Sequence, residues 1–109
     1  MADLTLIEQC GAGATISSGV LTIVLSQVGI DSASPTTSQI LGALVLKRRS
    51  LMTDALASDP TVGCSVGEPL SGLTTRGSRQ QSEQQYLVSL YRDIDSQLVA
   101  ISDPDDISI

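Results

Sequence analysis

Apolar residues recur at three- and four-residue steps from Ile40 through Leu41, Leu44, Val45, Leu51, Met52, Ala55 and Leu56. Steps of that size line one side of an α-helix, so the pattern predicts one main helix over about 35–57 with a broad apolar stripe. Ser34-Pro35 marks its start, because a serine hydroxyl accepts from free amides at a helix cap and proline is already shaped for the first helical position. Ser58-Asp59-Pro60 marks its end, since the residue before a proline is pushed out of helical geometry. Lys47-Arg48-Arg49 falls in the middle of the helix, where the charges are expected to form a solvent face opposite the stripe, within helical reach of Asp54.

A second pattern precedes the helix. Val20–Leu25 is rich in β-branched residues, with Leu21, Ile23 and Leu25 on one face and Val20, Thr22 and Val24 on the other, which predicts a strand over about 20–25 covered on both sides. Thr61–Val66 reads as another short strand, weakened by Gly63, and Gly67-Glu68-Pro69 turns the chain away from it. Leu4–Cys10 fits either a strand or a short helix, and Gly11–Gly19 reads as flexible chain of small residues. Gly11-Ala12-Gly13 has the first spacing of a dinucleotide-binding loop, but Ile16 stands where the third glycine would be required.

Two periods compete after Leu70. Tyr86, Leu87, Leu90, Tyr91, Ile94 and Leu98 fit a helical stripe with Ser78 as a cap, whereas Leu73-Thr74-Thr75 and Tyr86–Tyr91 are good strand text. The hairpin is the preferred reading, with strands at about 70–76 and 84–92 and the polar run from Gly77 to Gln85 as its protruding end. The expected fold class is therefore α+β: a small sheet of short strands (about 20–25, 61–66, 70–76 and 84–92) packed on the main helix. A single domain over 1–109 is expected, with a projecting arm at 76–85 and an acidic tail at 102–109. Asp93, Asp95, Asp103, Asp105 and Asp106 crowd the last stretch around the short apolar island Leu98–Ile101, without the central glycine or distal glutamate of a calcium loop.

Composition narrows the chemistry. A chain of 109 residues has room for one core, and with 41% hydrophobic residues but only Tyr86 and Tyr91 as aromatics that core must be aliphatic. Six Lys and Arg against twelve Asp and Glu give a net charge of −6, which disfavours a phosphate backbone as partner. Histidine is absent, removing the usual general base and the commonest transition-metal ligand. Cys10 and Cys64 lack the spacing of a zinc or redox motif and are read as small buried hydrophobes, with a disulfide between them left open. Val20–Ile30, the longest apolar stretch, is too short to span a bilayer, and Met1-Ala2-Asp3 lacks the basic start of an export signal. No catalytic residue, cofactor, metal, nucleic acid or membrane contact is expected.

The segments Gly19–Leu25, Gln39–Leu46 and Leu73–Arg76, with Gln84-Gln85-Tyr86, resemble small structural proteins of tailed phages and short proteins of cyanobacteria and their phages. The resemblance covers about half the chain in fragments and transfers no residue roles. It implies a non-enzymatic virion part repeated by symmetry, such as a capsid cement protein or a neck, tail or baseplate component. Its partners would be other copies of itself and other virion proteins. The residues agree in kind, since Arg76, Arg79, Gln80, Gln81 and Glu83 on the arm and Asp103, Asp105 and Asp106 on the tail offer many modest polar contacts. The arm and both ends, 1–7 and 102–109, are the expected intersubunit contacts. A cytoplasmic adaptor domain, or an inhibitor that masks a basic surface, is the alternative.

Overall fold

The computed structural model describes residues 3–93, 101 and 103–107. The chain opens with a short helix, α1 (Leu6–Cys10). Thr5 decides its start: the Thr5 hydroxyl accepts from the Glu8 amide at 3.2 Å, and the Glu8 carboxylate accepts from the Thr5 amide at 2.9 Å. Two otherwise orphaned donors are satisfied reciprocally, which settles the strand-or-helix choice in favour of helix.

Gly11 ends α1 at φ +87°, and a Cβ there would stand 2.5 Å from the Gln27 Cβ and 2.9 Å from the Gln27 carbonyl oxygen. Only glycine lets the 3-10 turn Leu25–Val28 cross so closely. Gly11-Ala12-Gly13 therefore carries a backbone crossing rather than a phosphate loop. The small-residue stretch after it is not plain coil. It forms β1 (Thr15–Ser17), which pairs antiparallel with β2 (Val20–Thr22) across Ser18 (φ +50°) and Gly19 (φ +77°), the paired positive φ angles of a type I′ turn. Strand β2 is exposed along its length, contrary to the expected two-sided cover, because among the described residues β1 is its only sheet neighbour. The expected strand also stops at Thr22, and Leu25 enters the 3-10 turn.

The main helix is α2 (Thr37–Leu51). It starts two residues later than Ser34-Pro35 suggests, because Thr36 and Gln39 form a second reciprocal cap, with bonds of 3.1 and 2.8 Å, that Ser34 has no partner to match. It also ends early: Met52 turns extended, and Thr53 caps a separate helix, α3 (Asp54–Ser58), by accepting from the Leu56 amide at 3.1 Å. Among the described residues no helix is long and apolar enough to cross a membrane.

The fold is α+β, with its short strands paired two by two. β3 (Cys64–Val66) pairs with β6 (Val88–Leu90), and β4 (Leu70–Arg76) pairs with β5 (Arg79–Gln85), all antiparallel. The polar run is thus a strand rather than a protruding end. Gly77 (φ +63°) followed by Ser78 makes the two-residue turn, of type II′ by its φ signs, and backbone pairing then zips Arg79–Gln85 whatever its side chains. Tyr86–Tyr91 is freed to pair with β3, where the Tyr91 hydroxyl lies 2.9 Å from the buried Ser65 hydroxyl. The helical alternative for this segment does not form through Asp93, and its Ile94 and Leu98 positions lie outside the described residues, as do Asp95 and most of the Leu98–Ile101 island.

Cys10, Ala14, Ile30, Ala43, Val62 and Val66 are buried, and among the described residues no large side chain is fully enclosed. The α1, α2 and β3 elements meet around this small core, and arginines tie them together. Arg48 donates from Nε and Nη2 to the Cys64 carbonyl at 3.1 and 2.9 Å, from Nη1 to Gln9 Oε1 at 3.3 Å and from Nη2 to Asp3 Oδ1 at 2.7 Å. Gln9 in turn donates to the Leu44 carbonyl at 2.9 Å, while Asp3 accepts from the Gly63 amide at 3.3 Å. Arg49 donates to the Val66 carbonyl at 2.9 Å and pairs with Glu68 at 3.6 Å. The expected solvent face is corrected accordingly: Arg48 and Arg49 bend over β3, whose carbonyls at Cys64 and Val66 they satisfy, and their acidic partners are Asp3 and Glu68 rather than Asp54.

Replacing Arg48 by Met leaves the Cys64 carbonyl without these donors and is expected to cost about 1–3 kcal/mol of unfolding free energy, measured by urea denaturation. Burial pushes the Asp3 carboxyl up, but the Arg48 guanidinium and the Leu4 and Gly63 amides outweigh it, so the group sits below its ordinary range. A carboxyl depressed in the folded state stabilises above its unfolded pKa and loses that contribution as pH falls through the folded one. The stability gap between the wild type and Asp3→Asn should accordingly narrow as pH drops below about 4, measured by denaturation at a series of pH values.

Candidate interaction surface

Strand pairing dictates what the β4–β5 hairpin presents. Paired residues share a face, so Leu70, Gly72, Thr74 and Arg76 lie with Gln85, Glu83, Gln81 and Arg79 on one side. Ser71, Leu73 and Thr75 lie with Gln84, Ser82 and Gln80 on the other. Of the arm residues singled out in the sequence, Arg76, Arg79, Gln81 and Glu83 are thereby brought to one face, and Gln80 is placed on the opposite one. Arg76 and Arg79 oppose each other directly at the tip, a like-charge pair that works against the hairpin when it stands alone. Glu83 accepts from the Gln85 amide at 3.0 Å, and neither arginine has an ion-pair partner among the described residues.

The stretch 76–85, expected as a projecting arm, forms the turn and second strand of this hairpin, which spans 70–85 and is termed the arm. Thr74 and Gln81 are half-buried, and the other residues of both strands are exposed. Its base meets α2, where Gln84 and Tyr86 share a shallow groove of about 460 Å³ with Ser38, Leu41, Val45 and Leu46. Tyr86 donates to Gln84 Oε1 at 2.9 Å, fixing the polar end of the groove.

The acidic tail holds a 3-10 turn, Pro104–Asp106, capped by the Asp103 carboxylate, which accepts from the Asp105 amide at 3.0 Å. Asp103 and Asp105 are exposed, and no hydrogen bond or ion pair joins them to the arm among the described residues. At the other end, Asp3 and Thr5 are occupied within their own chain by Arg48, Gly63 and Glu8.

Exposed apolar side chains, some of them on the helical stripe and the strand that the sequence pattern expects to be covered, are the larger feature. Leu70 and Leu73 on the arm are 74% and 73% exposed, and Leu41 on α2 is 65% exposed. Ile40 and Leu46 on α2, Ile16 on β1 and Val20 and Leu21 on β2 are also exposed. The helical stripe is only partly covered: Leu44, Val45, Leu51, Met52 and Leu56 are half-buried, while Ile40 and Leu41 face out. Periodicity reports which side of an element is apolar without saying what covers it.

Cys10 is buried and both thiols are free, which settles the open disulfide question. Burial pushes the Cys64 thiol up against the pull of the Arg48 guanidinium, so it stays protonated and weakly nucleophilic at neutral pH. Among the described residues no three His, Cys, Asp or Glu side chains group as metal ligands. An open hollow of about 660 Å³ between the 3-10 turn and α2 brings Asp31, Gln39 and Lys47 to a mostly apolar lining. No family model, curated protein or solved structure matches the chain.

Substitutions at the surface and in the core should separate sharply. Leu41→Ser is expected to change monomer stability by less than about 0.5 kcal/mol. Val62→Ala, at a position 2% exposed, is expected to cost about 2 kcal/mol in the same urea titration.

Proposed function

We propose that the chain is a non-catalytic structural protein that acts through contacts between copies, as a capsid cement or a neck, tail or baseplate component of a tailed-phage particle. The observation that carries the assembly reading is the mismatch, among the described residues, between a core of six small or medium side chains and the many exposed leucines, isoleucines and valines on α2, the arm and the β1–β2 hairpin. Monomeric proteins rarely leave large apolar patches in water, whereas subunits of an assembly cover them with one another. The virion placement is supported by the resemblance of the Gly19–Leu25, Gln39–Leu46 and Leu73–Arg76 segments to small phage structural proteins. Arg76, Arg79, Gln81 and Glu83 then form one contact face and Asp103 and Asp105 another.

The rival is a small cytoplasmic adaptor or inhibitor, favoured by the exposed acids and the net charge of −6. It binds one partner, one to one, and weakens with salt. Light scattering across protein concentration and a search of purified phage particles for the chain distinguish the two. Assembly predicts a mass above the 11.3 kDa chain that grows with concentration, and many copies per particle. A persistent monomer absent from particles would sink it.

A further inference from the structure

The arm carries a strand edge with none of the usual protections. In a two-residue hairpin the pair closing the turn exchanges backbone hydrogen bonds, here Arg76 with Arg79, and bonded pairs alternate along the strands. Leu70, Gly72, Thr74 and Arg76 therefore spend their backbone groups on β5. The N–H and C=O groups of Ser71, Leu73 and Thr75 point the other way, and β4 has no second sheet neighbour among the described residues.

Natural edge strands are kept from pairing by brevity, an inner charge, a proline or a bulge. β4 runs for seven residues, its register with β5 is unbroken, Pro69 falls just before it, and its one charge, Arg76, is at its last position. The opposite edge is different. β5 carries Arg79 and Glu83 and is otherwise built of Gln and Ser, which favour strands less than the leucines and threonines of β4.

The geometry points to a second copy of this chain as the occupant of that edge, with β4 pairing antiparallel to β4 of its partner about a two-fold axis at Leu73. The inference rests on the assembly reading and names its contact. Such a pairing sets Leu73 against the same residue of the other copy and Ser71 against Thr75, twice. The outward N–H and C=O groups of all three residues on both strands are then satisfied together. Two leucines that each stand 73% exposed cover one another at the axis.

Charge is complementary in the same register. Arg76 of one copy falls opposite Leu70 of the other, on the face that also bears Glu83, which lies one strand further on, beside Gly72. From standard strand spacings the Arg76 and Glu83 Cα atoms are about 12 Å apart, within joint reach of their side chains. Gly72 leaves the path between them clear, since nothing lies within 4 Å of where its Cβ would be. The contact thus gives Arg76 an acidic neighbour to offset Arg79. The result is a four-stranded sheet, β5-β4-β4-β5, with isologous symmetry.

Leu73→Lys tests it, because two ammonium groups facing each other at the axis oppose pairing while the exposed position leaves the monomer fold intact. Ser82→Lys, on the outer edge of β5, is the control. Sedimentation and light scattering of the full chain should show Leu73→Lys weakened in dimer formation by at least about tenfold, or ~1.4 kcal/mol, with Ser82→Lys unchanged. In the wild type, amide exchange at Ser71, Leu73 and Thr75 should slow as concentration rises, and exchange at Gln80, Ser82 and Gln84 should not. If the wild type self-associates and Leu73→Lys does so equally, the β4 contact is wrong and the assembly reading stands. If the wild type stays monomeric at every concentration and is missing from particles, both fall.

Discussion

Arg48 reaches from the last turn of α2 to the Cys64 carbonyl in β3, to Gln9 in α1 and to Asp3 ahead of it, and so holds the elements that surround the core. The need for such a tie follows from composition. Without Phe or Trp, and with Cys10, Ala14, Ile30, Ala43, Val62 and Val66 as the buried apolar set, few large side chains are available to lock helix against strand by volume alone. Fixed donors over the Cys64 and Val66 carbonyls supply geometry that a larger core would impose by packing. A hydrogen bond from a charged donor to a part-buried carbonyl is worth most where water is partly excluded, and Arg48 lies in that setting.

Tying the centre in this way leaves the periphery loose. The β1–β2 hairpin and the β4–β5 arm are each closed by a two-residue turn, and among the described residues each of their strands has one sheet partner and much of their apolar surface faces water. An isolated two-stranded hairpin is marginally stable in water and gains from further strands or a covering face. Under the proposed assembly reading, the same incompleteness suits the chain to be a subunit, since among the described residues the leucines Leu41, Leu70 and Leu73 on α2 and the arm are left exposed. The small core, the exposed stripe and the open edge of β4 have one physical origin.

Local signals were legible in the sequence where backbone chemistry is local. The α+β class, the main helix and the 70–76 strand follow from periodicity and turn residues. Thr5-Leu6-Ile7-Glu8 and Thr36-Thr37-Ser38-Gln39 are capping boxes written plainly in the chain; read as such, they define α1 and shift the start of α2 from Ser34. Gly77-Ser78 likewise marks the arm's turn, but a strand of Arg, Gln, Ser and Glu has no apolar alternation to announce it, and its pairing is a backbone effect. The inward turn of Arg48 and Arg49 was not legible, since it depends on where β3 lies across α2. Nor was the exposure of Leu41 or β2, because periodicity marks an apolar side without saying what covers it. Arg76, Arg79, Gln81 and Glu83 fall on one face because the register, rather than their order in sequence, places them there.

If association completes what the monomer leaves open, stability must depend on protein concentration. Differential scanning calorimetry over a hundredfold concentration range is the most direct test. Coupled folding and association predicts a Tm that climbs steadily with concentration. A Tm that stays constant over that range would show that the chain is complete by itself and that its exposed apolar residues serve no subunit contact.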